Sequence, residues 1–199
     1  MVMPDSLYLS LWFPSFDLPE ILPRTVSVFR QLPFSSQRSG VTYAAVHPVS
    51  WAEPTILERR FVPGLPPNEA VAGVEDFLHD DYAYAFEAYW DLWAPSEGKE
   101  RWSLQPSLVR VIAHGVEFEE NAASAAGHIQ VDFGLDTPFL HEELELTLDG
   151  EDRVRSNVQR LVEFTANVEK NAGATGRLLW SESEENLAQK LIARLQKVN

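Results

Sequence analysis

The chain has 199 residues, 45% of them hydrophobic and 23% charged, with 16 basic and 30 acidic side chains, a formal net charge of -14 and no cysteine. That composition is globular; it excludes disulfides, thiolate catalysis and cysteine-ligated metals, and it suits a reducing cytoplasm. The acidic balance argues against nucleic acid and anionic membrane surfaces as partners, since both select lysine and arginine.

Leu7, Leu9, Leu11 and Phe13 alternate with Tyr8, Ser10 and Trp12, which predicts a strand with one apolar face. No basic residue precedes that stretch and serines interrupt it, so no signal peptide is expected. No apolar run approaches the ~20 residues that span a bilayer. After the turn at Pro14–Asp17, Ile21, Leu22, Val26, Phe29 and Leu32 recur at helical spacing. Pro23 would break an interior turn, so the helix is expected to start near it. Residues 35–40 read as a polar loop. Residues 41–49 and 55–61 read as a β-hairpin, and 62–67, with three prolines and a glycine, as a loop. Asn68 is placed as the cap of a helix carrying Val71, Val74, Phe77 and Leu78.

Residues 82–92 give the clearest strand. Tyr82, Tyr84, Phe86, Ala88, Trp90 and Leu92 share one face, and Ala83, Ala85, Glu87, Tyr89 and Asp91 the other. Residues 94–101 read as a turn. Beyond it, 108–118 reads as a strand with a bulge at Gly115, and 129–135 as another. A short edge strand is expected over 144–148. Val154, Val158, Leu161, Val162, Thr165 and Val168 form the strongest helical stripe, with Gly173 as its C-cap. Residues 176–180 read as a strand, Ser181 and Glu184 as a capping box, and Leu187, Leu191, Ile192 and Leu195 as the buried side of a last helix.

The predicted fold class is therefore α+β. Residues 1–95 are expected to form a ferredoxin-like βαββαβ half with both helices on one face of an antiparallel sheet. Residues 96–199 are expected to form a second α+β half, packed on the first or continuing its sheet. Segments 6–49 and 127–180 both read strand, helix, strand, which suggests a degenerate duplication.

The most unusual feature is electrostatic. Between Val111 and Asp152 there is no lysine or arginine, and the segment carries Glu117, Glu119, Glu120, Asp132, Asp136, Glu142, Glu143, Glu145, Asp149, Glu151 and Asp152. Burying such a set unpaired is prohibitive, so it must meet water, a cation or a basic partner. Two acidic clusters contain a histidine. Asp132, Asp136 and His141, beside Glu142 and Glu143, could hold a divalent cation or divide into an acid and a base. His79 and Asp80 are a second candidate for metal, although a helix end followed by an acidic turn accounts for them too. Outside that segment, Tyr89 and Trp93 in the aromatic-rich stretch are expected to be an exposed pair.

No phosphate loop, G-x-G-x-x-G, G-x-S-x-G or H-E-x-x-H motif is present. The reading that follows is a non-catalytic binding or protein-interaction module that needs no cofactor. It would meet a basic or neutral protein partner through Tyr89, Trp93, Glu142, Glu143 and Glu145, with homodimerisation through exposed sheet edges expected as well. The alternative is an acid/base or metal-assisted enzyme centred on Asp132, Asp136 and His141.

Overall fold

The computed structural model describes residues 4–96, 101–141, 146–182 and 186–196. The chain runs β1 (Ser6–Trp12), α1 (Leu18–Phe29), β2 (Val41–Pro48), β3 (Leu57–Leu65), α2 (Pro67–Ala72), β4 (Tyr82–Pro95), β5 (Trp102–His114), α3 (Ala122–Ala126), β6 (Ile129–Leu135), α4 (Thr137–Leu140), α5 (Leu148–Ala172), β7 (Gly176–Ser181) and α6 (Leu187–Gln196), with 3-10 turns at Glu75–Phe77 and Phe118–Glu120. All seven strands pair antiparallel in one open sheet, in the order β3-β2-β4-β5-β6-β1-β7.

The protein is thus α+β, and its first half has the expected succession of elements. The sheet order differs from the ferredoxin-like arrangement. β1 leaves the first half and lies between β6 and β7, while β2 is flanked by β3 and β4. Leu7, Leu9 and Leu11 are fully buried and make β1 an interior strand, a property that either arrangement satisfies; the order is set by which edges pair once the second half has folded. Periodicity shows that β1 is a strand; it carries no information on which strands satisfy those edges.

The long helices pack on one face, whereas α3 and the 3-10 turn before it reach one end of the other, where Trp12 Nε1 donates to the Ala123 carbonyl at 3.1 Å and Phe118 packs on His114 at 6.0 Å. α1 packs on α2, α5 and β5, and α5 on β4, α4 and α6. The apolar rows of β1 and β4 meet Ile21, Phe29, Val158, Leu161 and Phe164 from the helices. Trp90 lies at the centre, fully buried, with ring centroids 5.4 Å from Phe133 and 6.2 Å from both Phe139 and Phe164. No helix among the described residues is long and apolar enough to cross a membrane.

Several boundaries depart from the sequence reading for local reasons. α1 begins at Leu18 and contains Pro23. The proline falls early enough to remove a single backbone bond, and the buried stripe behind it outweighs that loss. β3 runs on through Pro63, because an edge strand can host a residue with no N–H to give. Asn68 lies inside α2 instead of capping it; Pro66 takes the cap position. β5 starts at Trp102, paired along its whole length with β4, and ends at His114 before Gly115. The edge strand expected over 144–148 is not seen in its described part. Leu148 opens α5, whose cap Thr147 accepts a hydrogen bond from the Gly150 N–H. Gly173 ends α5 in the left-handed conformation (φ +77°), as a C-cap glycine does. Glu184 lies outside the described residues.

Candidate functional site

Alternation puts every second strand residue on the face away from the helices, and the register then lines those residues up across strands. One row crosses the entire sheet: Arg60, Tyr43, Glu87, Arg110, Asp132, Tyr8 and Trp180, one residue from each strand. Neighbours in the row interact. The Arg110 guanidinium donates to Glu87 Oε1 from Nη2 at 2.7 Å and from Nε at 3.2 Å. Arg60 lies over the Tyr43 ring at 5.7 Å. Tyr8 and Trp180 stack at 4.8 Å, and Trp180 Nε1 donates to Ser10 Oγ at 3.0 Å. Burial, reinforced by the carboxylate of Glu58, pushes the Tyr43 phenol above its ordinary pKa.

The adjacent row is small or uncharged across its middle, with Ala45, Ala85, Ile112, Gln130 and Ser10, and ends in Glu58 on β3 and Leu178 on β7. Two alanines side by side leave a depression. Its volume is about 330 Å³, and it is walled by Tyr43, Glu87 and Arg110 on one side and by His47 and Trp51 on the other. His47 and Trp51 meet edge to face at 4.7 Å. Burial lowers the His47 pKa, so the ring presents a neutral surface near pH 7.

Trp51 is held there by two strained turns. Val49 has φ +61°, and Glu119, Glu120 and Asn121 have φ +47°, +54° and +78°. Such conformations cost on the order of 1–3 kcal/mol each in a non-glycine residue. Here they are locked together: Glu119 N–H donates to the Val49 carbonyl at 2.9 Å, and Trp51 N–H to Glu119 Oε1 at 3.0 Å. Trp51 also packs edge-on against Phe118 at 5.0 Å. Beneath it His114 is buried, with Nδ1 2.9 Å from the Gly127 carbonyl. The result is a large aromatic side chain, 40% exposed, standing at the rim of the depression.

A second groove of about 480 Å³ adjoins the first and shares Tyr43 and Glu87 with it. Its walls include Arg38 and Tyr89 on one side, Arg60 and Val62 on the other. The Arg38 guanidinium stacks on Tyr89 at 4.7 Å.

The residues singled out from the sequence lie in separate surroundings. Asp132 belongs to the charged row, and its Oδ1 accepts from the Gly134 N–H at 2.8 Å. Asp136 is buried at the start of α4, where Oδ1 lies 3.3 Å from the Asp5 N–H. His141 is buried under Trp102 at 5.3 Å, and burial, with Arg194 nearby, lowers its pKa. His79 pairs with Asp81 and stacks on Tyr82, while the Asp80 carbonyl accepts from the Glu117 N–H at 2.8 Å. Among the described residues no group of three or more histidines and carboxylates is arranged to hold a metal ion. Tyr89 lies in the second groove. Trp93 lies under Arg153, 3.9 Å from its ring centroid, and its backbone is bonded at both ends to Asn157. Glu142, Glu143 and Glu145 fall outside the described residues.

Tyr8, Tyr43, Trp51, Glu87, Arg110 and Trp180 were not among the sequence candidates. The signal for two of them was present, because Tyr8 and Glu87 occupy the non-apolar phase of well-marked strands. Their alignment depends on sheet order, which alternation does not encode. Comparison with known proteins finds no matching family model, no matching curated protein and no matching solved structure.

Proposed function

We propose that this chain is a non-catalytic binding module that docks a basic or neutral protein on the open face of its sheet. The observation that carries this reading is the row from Arg60 to Trp180: four charged side chains and three aromatic rings at fixed spacing on the face opposite the helix-side core. Arginine, tyrosine and tryptophan are the side chains that most often anchor protein interfaces. They stand here on strands, the rigid part of the molecule, and cost little to order on binding. The formal charge of -14 supports a basic or neutral partner and opposes a second copy of the chain on this face. Edge pairing is also opposed at β3, which carries Arg59, Arg60 and Pro63. A cytoplasmic location is part of this reading, from the absence of cysteine.

The test is retention of a host protein on the immobilised chain at low salt. We expect one discrete species, released by raised salt and lost with Tyr43→Ala/Trp51→Ala, a variant that removes the rims of the depression and leaves the helix-side core around Trp90 untouched. Retention that survives this variant, or no retained species, overturns the reading.

A further inference from the structure

The groove beside Arg38 and Arg60 reverses the electrostatic sign of the molecule. In a chain of formal charge -14, two guanidiniums face one groove, and neither forms an ion pair with a described residue. Each stacks on a tyrosine, Arg38 on Tyr89 at 4.7 Å and Arg60 on Tyr43 at 5.7 Å. Stacking uses the flat face of a guanidinium and leaves its N–H edge available, the geometry that recognises a carboxylate through two parallel hydrogen bonds. Beside them Val62 is 95% exposed, an apolar side chain left in water within reach of both cations.

The groove is also built. Ser35 N–H donates to the Tyr89 carbonyl at 2.7 Å, and Ser35 Oγ accepts from the Gln37 and Arg38 N–H groups at 3.1 and 3.2 Å. Ser36 donates to Asp91 Oδ2 from both its N–H and its hydroxyl. Burial alone would raise the Asp91 carboxyl, but bonds from Ser35 and Ser36, with Arg160 nearby, hold it below the usual range and keep the anchor ionised. At the far end of the loop two glycines allow backbone contact with β3. A Cβ on Gly40 (φ +79°) would lie 2.6 Å from the Leu65 oxygen, and one on Gly64 would lie 2.3 Å from the Ser39 oxygen. Arg38 is therefore presented on a loop fixed at both ends.

We infer that this groove takes a carboxylate carried on an apolar residue of the docking protein, gripped by Arg38 and Arg60 with its apolar part against Val62. The inference rests on the open face being the docking surface and specifies what that surface reads. A polyanion is disfavoured by the acidic remainder of the chain and by Glu87, which lines the same groove. A single carboxylate meets two cations and one anion.

The probe is the peptide acetyl-Gly-Gly-Phe with a free terminal carboxylate, titrated into the isotopically labelled full chain and followed through the arginine Nε–H and backbone amide signals. The controls are the same peptide as its terminal amide and inorganic phosphate at equal ionic strength. We expect saturable shifts at Arg38, Arg60, Phe61, Val62 and Gly64 from the acid alone. Arg38→Gln/Arg60→Gln should weaken binding tenfold or more, as loss of charge-assisted bonds does. Glu87→Gln should tighten it about threefold by removing one like charge roughly 6 Å away in a watery groove. Equal shifts with the amide or phosphate, binding unchanged in the double variant, or no saturable shift with the acid each overturn the inference. The retention test is read separately: partner capture that depends on Tyr43 and Trp51, with no response to the acid peptide, sinks this inference and leaves the docking surface standing.

Discussion

The two faces of the sheet follow opposite rules. The helix-side face of β4 presents Tyr82, Tyr84, Phe86, Ala88, Trp90 and Leu92, all buried except Tyr82; the other presents Ala83, Ala85, Glu87, Tyr89 and Asp91, of which only the two alanines are buried. On the first face apolar area is removed from water at roughly 25 cal/mol per Å², and shape decides which side chain fits. On the second, charges pair at the surface for little net stability. The open face buries small and polar residues such as Ser10, Ala83 and Ala85 and carries the aromatic rings and strained turns. Changes to the two faces should therefore have separable effects.

The largest effect belongs to the helix-side core. Trp90→Ala leaves a cavity among Phe133, Phe139 and Phe164, and we expect a loss of about 3–5 kcal/mol, read as a fall in the urea midpoint. A loss below about 1 kcal/mol would mean that this layer is not the packed core. Next comes the seam between them. Buried Asn157 donates to the Trp93 and Pro138 carbonyls at 2.9 Å and accepts from the Trp93 N–H at 2.8 Å, tying the end of β4 to α5. Asn157→Ala strands those backbone groups and should cost about 1–3 kcal/mol. The smallest effect belongs to the open face. Arg110→Gln breaks the pair with Glu87 and should change stability by less than about 1 kcal/mol, with the urea midpoint nearly unmoved. A large loss there would erase the contrast.

Acid should also distinguish the interior from the surface. Burial lowers the pKa of His114, His128 and His141 below the ordinary 6.5. The unfolded chain then takes up protons first as pH falls through 6.5, so stability is full above that value and declines below it. We expect the melting temperature to drop between pH 7.5 and 5.5, above the ordinary carboxylate range. His114→Gln should flatten that slope. A melting temperature that rises across this window would contradict the burial of these rings.

Most of the helix-side face was legible in the sequence. Alternation in β1 and β4 and the stripe on α5 marked most of its core residues, because burial acts on each position locally, but Val162 on α5 and Ile192 on α6 are exposed and the stripe missed Phe164. The sheet order was not legible, since antiparallel pairing depends on which edges meet after collapse. The site suffered from the same gap. Asp132 was noticed for its charge, but its neighbours Arg110 and Tyr8 are 22 and 124 positions away and become neighbours only through β5–β6 and β1–β6 pairing. Trp51 lies in the expected hairpin connection, but its position depends on a left-handed valine, Val49, and on a second turn at Glu119–Asn121 that begins 68 residues further along, which no local signal links to it.

The central claim, that the open face is the docking surface, is tested most directly by a photo-cross-linking amino acid placed on each face in turn. Tyr8 and Gln130 report the open face; Gln159 and Glu163 report exposed positions of α5. The account predicts one discrete, salt-sensitive adduct from the open-face positions and none from α5. The same adduct from α5, or adducts from neither face, would contradict it.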